Sequence, residues 1–199
     1  MRIGIYSGTF DPVHKGHIAF ALEACKRAKL DVVYFAPEVK PQRKQQCTHI
    51  AHRIAMLHLA VRSQPKLNVL ELPDAHFTPI KTYGRIRALF PDDEIVLLIG
   101  EDLLEHMARW SGIDKTLPNI ELVIGLRTKH TAESAHQYIN DLPAQPKAYY
   151  FVRSRFAAIS SMGIRAKLIA HQDTTETLLS IRRYAQKEWL YHDLTKTTK

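Results

Sequence analysis

The sequence predicts an α/β fold: a doubly wound parallel sheet with a helical C-terminal segment. Short apolar runs rich in β-branched residues recur along the chain, and segments of helical spacing separate them. Most of these runs are apolar on both faces instead of alternating, as strands covered by helices on both sides require. Right-handed crossovers then give the sheet a Rossmann-like order.

The expected strands are 2–8 (RIGIYSG), 31–37 (DVVYFAP), 66–72 (KLNVLEL), 94–100 (EIVLLIG), 120–126 (IELVIGL) and 148–154 (AYYFVRS). Helical spacing places Ile18, Ala21, Leu22 and Cys25 on one stripe of 17–29, and Ile50, Ile54, Leu57, Leu59 and Val61 on a broader arc of 49–62. Segments 82–90, 101–110 and 131–140 are shorter helix candidates. From 161 to about 188 the chain reads as helical throughout. There Asp173, Thr174 and Thr175 are capping-type residues, and Leu178, Leu179, Ile181 and Tyr184 are expected to face inward. Segments 37–48 and 142–147 read as loops. The expected organisation is one domain over 1–199, with an α/β core to 158 and a helical part over 159–191.

The 199 residues can bury a substantial core, and 45% hydrophobic with 24% charged residues is typical of a globular protein. No apolar run reaches the roughly 18 residues a membrane helix needs. The opening residues have no apolar stretch of signal-peptide length, and the two cysteines, Cys25 and Cys47, have no disulfide-framework or metal-site spacing. A cytoplasmic protein with reduced thiols is expected. The net charge of +8 and pI near 9.5 favour anionic partners. Nucleic acid, anionic lipid and a phosphate-rich small molecule all fit that sign. Lys and Arg are scattered rather than gathered in the stripe nucleic acid usually needs, and a merely solvated basic surface fits as well, so charge alone decides little.

The first strand-to-helix connection, Gly8 to Gly16, contains SGTFDPVHKGH, with His14 and His17 three residues apart. In open α/β sheets ligands bind beyond the carboxyl ends of the strands, and a helix start offers unpaired N–H groups to an anion. Both imidazoles can then face one phosphate group. A packing pair and exposed loop polars are the alternatives; a metal site lacks further ligands nearby.

GTFDPVHKGH (8–17) resembles the His-x-Gly-His signature of the nucleotidyltransferase superfamily. ISSMGIR (159–165) resembles its Ile-Ser-Ser-Thr-x-x-Arg element. The nearest resemblance is to bacterial nicotinate (or nicotinamide) mononucleotide adenylyltransferases. It continues in PQRK (41–44), HRIAM (52–56), FPDDEIVLLIGEDLLEHMARW (90–110) and LLSIRRYAQKEWLY (178–191). It implies transfer of AMP from ATP, accompanied by Mg²⁺, to a pyridine mononucleotide in NAD biosynthesis, with pyrophosphate released. His14 and His17 would be catalytic. Gly8, Thr9, Phe10, Gly16, Gly100, Asp102, Ser160, Ser161 and Arg165 would bind ATP, and Arg43, Lys44, Thr82, Trp110 and Arg127 the acceptor, with Trp110 stacking on the pyridine. No dedicated metal ligand, no membrane and small-molecule partners are implied, with homo-oligomerisation left open. Another transfer of this class, such as onto a pantetheine phosphate, and a nucleotide sensor that lost turnover are the other readings. The chain departs from the family pattern at Ser7, at Met162 in place of threonine, and at Lys81 in place of an acid. Lys81 is expected to favour the more anionic, carboxylated acceptor.

Overall fold

The computed structural model describes residues 1–41, 47–126 and 132–192. Six parallel strands form one sheet: β1 (Arg2–Gly8), β2 (Val32–Pro37), β3 (Leu67–Val69), β4 (Glu94–Gly100), β5 (Glu121–Gly125) and β6 (Ala148–Val152), in the order β3-β2-β1-β4-β5-β6. The described helices are α1 (Lys15–Arg27), α2 (Ile50–Val61), α3 (Lys81–Leu89), α4 (Glu101–Met107), α5 (Ile113–Thr116), α6 (Ala132–Asn140), α7 (Ser161–Ile169) and α8 (Leu179–Lys187). The α/β, Rossmann-like expectation holds.

Each central strand buries both faces. In β4, Ile95, Leu97 and Ile99 enter a cluster with Ile3, Ile5, Ile86 and Leu122, while Val96 and Leu98 enter another with Ala21, Phe35, Leu57 and Val123. Each such side chain contributes about 1.5–3 kcal/mol on burial, so the non-alternating runs follow directly from a two-sided sheet.

Strand order reverses between β1 and β4. The β1–β4 ladder ends at Tyr6↔Leu98, whereas β1 stays paired with β2 to Gly8↔Pro37 and β4 with β5 to Gly100↔Gly125. The two strands therefore part at their carboxyl ends. Sheets of this kind hold ligands in that crevice.

Five local expectations change. The third strand spans only 67–69; Leu70 still donates its N–H to the Phe35 carbonyl, and Pro73 follows shortly after. The helix begun at Glu101 stops at Met107, and α5 with a 3-10 turn at Leu117–Asn119 fills the run before β5. The tail is two helices rather than one. Asp173 and Thr174 build a turn, with the Thr174 N–H donating to Asp173 Oδ1 (2.9 Å) and the Glu176 N–H to Thr174 Oγ1 (3.3 Å). They do not cap α8, which starts after Leu178. In α8, Ile181 is fully buried and Leu178 and Tyr184 pack on the core, but Leu179 is exposed.

Candidate active site

The first loop leaves β1 through Gly8 and turns at Phe10, whose φ is +51°. The Phe10 ring is buried and meets Tyr6, Phe35 and His17 edge-on, the last at 5.1 Å. His14, itself buried, is the N-cap of α1. Its backbone N–H donates to His17 Nδ1 (3.2 Å), and the two rings stack with centroids 3.6 Å apart. Because a backbone N–H can only donate, His17 Nδ1 is the acceptor, and the proton of its neutral ring is on Nε2. A Cβ at Gly16 would lie 2.9 Å from the His14 ring and 3.0 Å from the Phe156 carbonyl oxygen, so any larger residue there would have to displace the ring or the backbone.

The later motif comes to the same place. Ser160 caps α7 by accepting from the Gly163 N–H (3.1 Å). Ser161 Oγ donates to the Pro12 carbonyl (3.0 Å), and Arg165 Nη1 to the Asp11 carbonyl (2.6 Å). Arg165 thus braces the loop with one of its five N–H groups, leaving the rest of the fork for an anion. His14, Gly16, His17, Gly100, Gly125 and Ile159 line a small recess of about 60 Å³. A Cβ at Gly100 would have no neighbour within 4 Å, so the space in front of this strand end is open.

A larger cleft of about 400 Å³ lies beside the recess at the parting of β1 and β4, with Ser7, Leu98, Phe77 and Trp110 among its lining. Trp110 and Phe77 face each other with centroids 6.0 Å apart, forming an aromatic wall of the kind a flat ring packs against.

The remaining sequence-derived candidates divide. Gly8 and Thr9 are in the loop, and their carbonyls accept from the Glu38 N–H and from Arg53. Asp102 is exposed in the first turn of α4. Thr82 is buried: its hydroxyl accepts from the Thr78 N–H (3.0 Å) and reaches the His76 carbonyl (3.3 Å), organising the 76–82 turn behind the cleft wall. Lys81 is largely exposed, 4.0 Å from Asp74, and is not part of the cleft lining. Met162 is exposed. Arg43, Lys44 and Arg127 lie outside the described residues.

Sequence reasoning missed the residues that fix the loop. Arg53 is fully buried and donates to four carbonyls: Thr48 (2.8 Å), Thr9 (2.8 Å), Glu38 (2.8 Å) and Val39 (3.2 Å). Asp11 accepts from the Thr48 N–H (3.1 Å) and the Tyr191 hydroxyl (2.7 Å). Burial first, then the adjacent Asp11 carboxylate, push the Tyr191 phenol above its usual range. Thr177 Oγ1 donates to the Val13 carbonyl (3.2 Å) and the Lys15 N–H to the Glu176 carbonyl (3.0 Å). The Lys167 ammonium (2.7 Å) holds the Glu176 carboxyl below its ordinary range. An arginine amid the apolar run IAHRIAML was the available signal for Arg53.

Two imidazoles at a helix start, a second helix start with serine and arginine, and an aromatic cleft at the switch point define a nucleotide-handling α/β protein. A family model described as cytidylyltransferase-like matches residues 5–167. Nicotinate-nucleotide adenylyltransferase of Bacillus subtilis is 32% identical over 161 residues, covering 78% of this chain and 85% of its own. A probable nicotinate-nucleotide adenylyltransferase of Geobacillus thermodenitrificans is 32% identical over 197 residues, covering 96% and 86%. The fold matches Plasmodium falciparum nicotinic acid mononucleotide adenylyltransferase, solved in complex with NaAD, at TM-score 0.78 and 20% identity over 96% of this chain and 97% of that one. The chain belongs to the cytidylyltransferase-like family and, within it, to the nicotinate-nucleotide adenylyltransferases. No helix among the described residues is long and apolar enough to cross a membrane.

Proposed function

We propose that this chain transfers the adenylyl group of ATP to a pyridine mononucleotide, forming the dinucleotide and releasing pyrophosphate. The observation that carries the reading is the meeting of the His14–His17 loop with the Ser161–Arg165 turn beside the Trp110 cleft. The acceptor phosphate is already ionised at neutral pH, so no general base is required. An oxygen of that phosphate attacks the α-phosphorus, and the bond to the bridging oxygen of the leaving pyrophosphate breaks.

What the protein must supply is alignment and stabilisation of charge developing on the leaving group. His17 meets that need through Nε2–H, a donor fixed by the bond its Nδ1 accepts. Stacking on His14 and the edge of Phe10 hold the ring in place. Arg165 and the start of α7 serve the outer phosphates, and Gly100 leaves room for the nucleoside. Trp110 is the platform for the pyridine ring. Mg²⁺ enters with the triphosphate as part of the substrate and keeps most of its water shell. With this reaction the chain would serve NAD synthesis, as a cytoplasmic enzyme in our reading.

The test is pyrophosphate release with ATP, Mg²⁺ and either nicotinate or nicotinamide mononucleotide, with the dinucleotide identified by mass. Tight ATP binding without turnover on either acceptor would refute the proposal.

A further inference from the structure

The cleft in front of Trp110 holds a histidine that adenylyl transfer as described does not use. His106 lies in the last turn of α4 and shares the cleft lining with Trp110, Phe77, His76 and Arg109. Its Nδ1 is buried and has no hydrogen-bond partner. A buried N–H without a partner is costlier and rarer than an unpaired lone pair, so the neutral ring keeps its proton on Nε2. With Nδ1 closed off, Nε2 is the nitrogen left to meet a ligand, and it does so as a donor.

The surroundings favour an anion at that nitrogen. Arg109 and His76 contribute further basic side chains to the lining. The carboxylate there, Glu38, already accepts from the Ser7 hydroxyl (3.4 Å) and the Phe77 N–H (3.2 Å). His106 and Trp110 line a different cavity from His14 and His17. A mononucleotide with its phosphate toward the imidazoles and its ring in the cleft would share that lining with His106.

We propose that His106 determines acceptor specificity, donating from Nε2 to the carboxylate of a carboxylated pyridine ring lying on Trp110, with Arg109 adding positive charge at the rim. The proposal rests on the reading of this cleft as the acceptor site. It assigns to His106 the preference that the sequence suggested for Lys81, which points to Asp74 instead. A carboxylate offers two charged acceptor oxygens, whereas an amide offers one neutral oxygen and an NH₂ group that opposes a donor.

The test is steady-state kinetics with nicotinate and nicotinamide mononucleotides on the full chain, His106→Leu and His106→Gln, with melting curves alongside. The parent is expected to prefer nicotinate. His106→Leu should lose about tenfold or more in kcat/KM for nicotinate, mainly through KM, the size of one hydrogen bond to a charged group. Its nicotinamide kcat/KM should fall by a smaller factor than its nicotinate kcat/KM, since the amide loses at most a neutral hydrogen bond, and its KM for ATP should be little changed. His106→Gln keeps an N–H, recovers part of the loss, and serves as the readout if the leucine variant melts early. An unchanged ratio between the two acceptors in both variants, or equal loss for both acceptors, would overturn the proposal. A parent that turns over neither acceptor removes the reading of the cleft together with this one; an active parent whose variants keep its ratio removes this one alone.

Discussion

Among the described residues Arg53 is fully buried, and its guanidinium has four backbone carbonyls and no carboxylate among its hydrogen-bond partners. Arg53→Met keeps the length of the side chain and removes every donor. The carbonyls of Thr48, Thr9, Glu38 and Val39 then lose their partner at a part-buried site. At about 1 kcal/mol for each stranded acceptor the loss is about 4 kcal/mol. Deletions that break a buried charged network cost a similar amount, about 3–5 kcal/mol. In a chain of this size each kcal/mol moves the melting temperature by about 2–4 °C, so a fall of about 6–20 °C is expected. Thr9 is five residues before His14, so the loop should also lose its alignment. With displacements of about 1 Å costing on the order of a hundredfold, kcat should fall at least tenfold even well below the melting point. Arg53→Lys, with three donors on a single nitrogen, should lie between the two. Thermal melts and steady-state rates on the three proteins decide the matter. A methionine variant melting within about 2 °C of the parent would refute the reasoning, since one stranded carbonyl alone should exceed that shift.

The other perturbations separate binding from stability. His17→Ala removes the Nε2–H donor and should lower kcat by about a hundredfold or more, the cost of one preorganised donor to developing charge, with KM for ATP little changed; near-normal turnover would assign the ring to packing alone. Gly100→Val adds atoms where the structure has no neighbour within 4 Å, so the melting temperature should hold while KM for ATP rises. The reverse pattern, early melting with unchanged ATP use, would place the nucleotide elsewhere. Tyr191→Phe strips a 2.7 Å hydrogen bond from the buried Asp11 and should cost about 1.5–3 kcal/mol, measurable by denaturant titration. Because the folded state raises the Tyr191 pKa above its ordinary value of 10.0, its stabilisation is complete below that pH and is lost as pH rises beyond it. Stability of the parent should therefore fall above about pH 10 by more than that of Tyr191→Phe.

Features written in local spacing were legible in the sequence. A two-sided strand such as IVLLIG announces its burial because every residue is apolar, and the glycine between His14 and His17 announces a close approach. The C-terminal helices were less legible because their inward face depends on a partner. Leu179 and Ile181 are equally apolar, but α8 packs against α2, and only Ile181 faces that contact. Threonines show the same limit at finer grain. The Asp-Thr-Thr run reads as a helix cap, but the Thr174 hydroxyl turns the chain and the Thr177 hydroxyl reaches the first loop instead. Lys81 looked like an acceptor contact by its position in a motif, yet it is exposed near Asp74 and is not among the cleft-lining residues.

The candidate site was half legible for a related reason. The histidines, serines and arginine stand in recognisable motifs, but a motif says nothing of what keeps its backbone still. Here Asp11, Pro12, Val13 and Lys15 are each tied to a distant residue. The Thr48 N–H binds Asp11 from 37 positions away, and the Tyr191 hydroxyl binds it from 180. Ser161, Thr177 and Glu176 take the carbonyls and N–H between them. No periodicity connects such pairs, since each is a single side chain reaching a single backbone group. Their joint effect is to fix the loop's backbone in place, and under the proposed function donors held this way would need little reorganisation during the reaction. The C-terminal segment therefore supports the His14–His17 loop as well as carrying Ser161 and Arg165. Loosening Thr177 or Tyr191 should lower kcat before it changes what the site binds, because alignment fails earlier than contact.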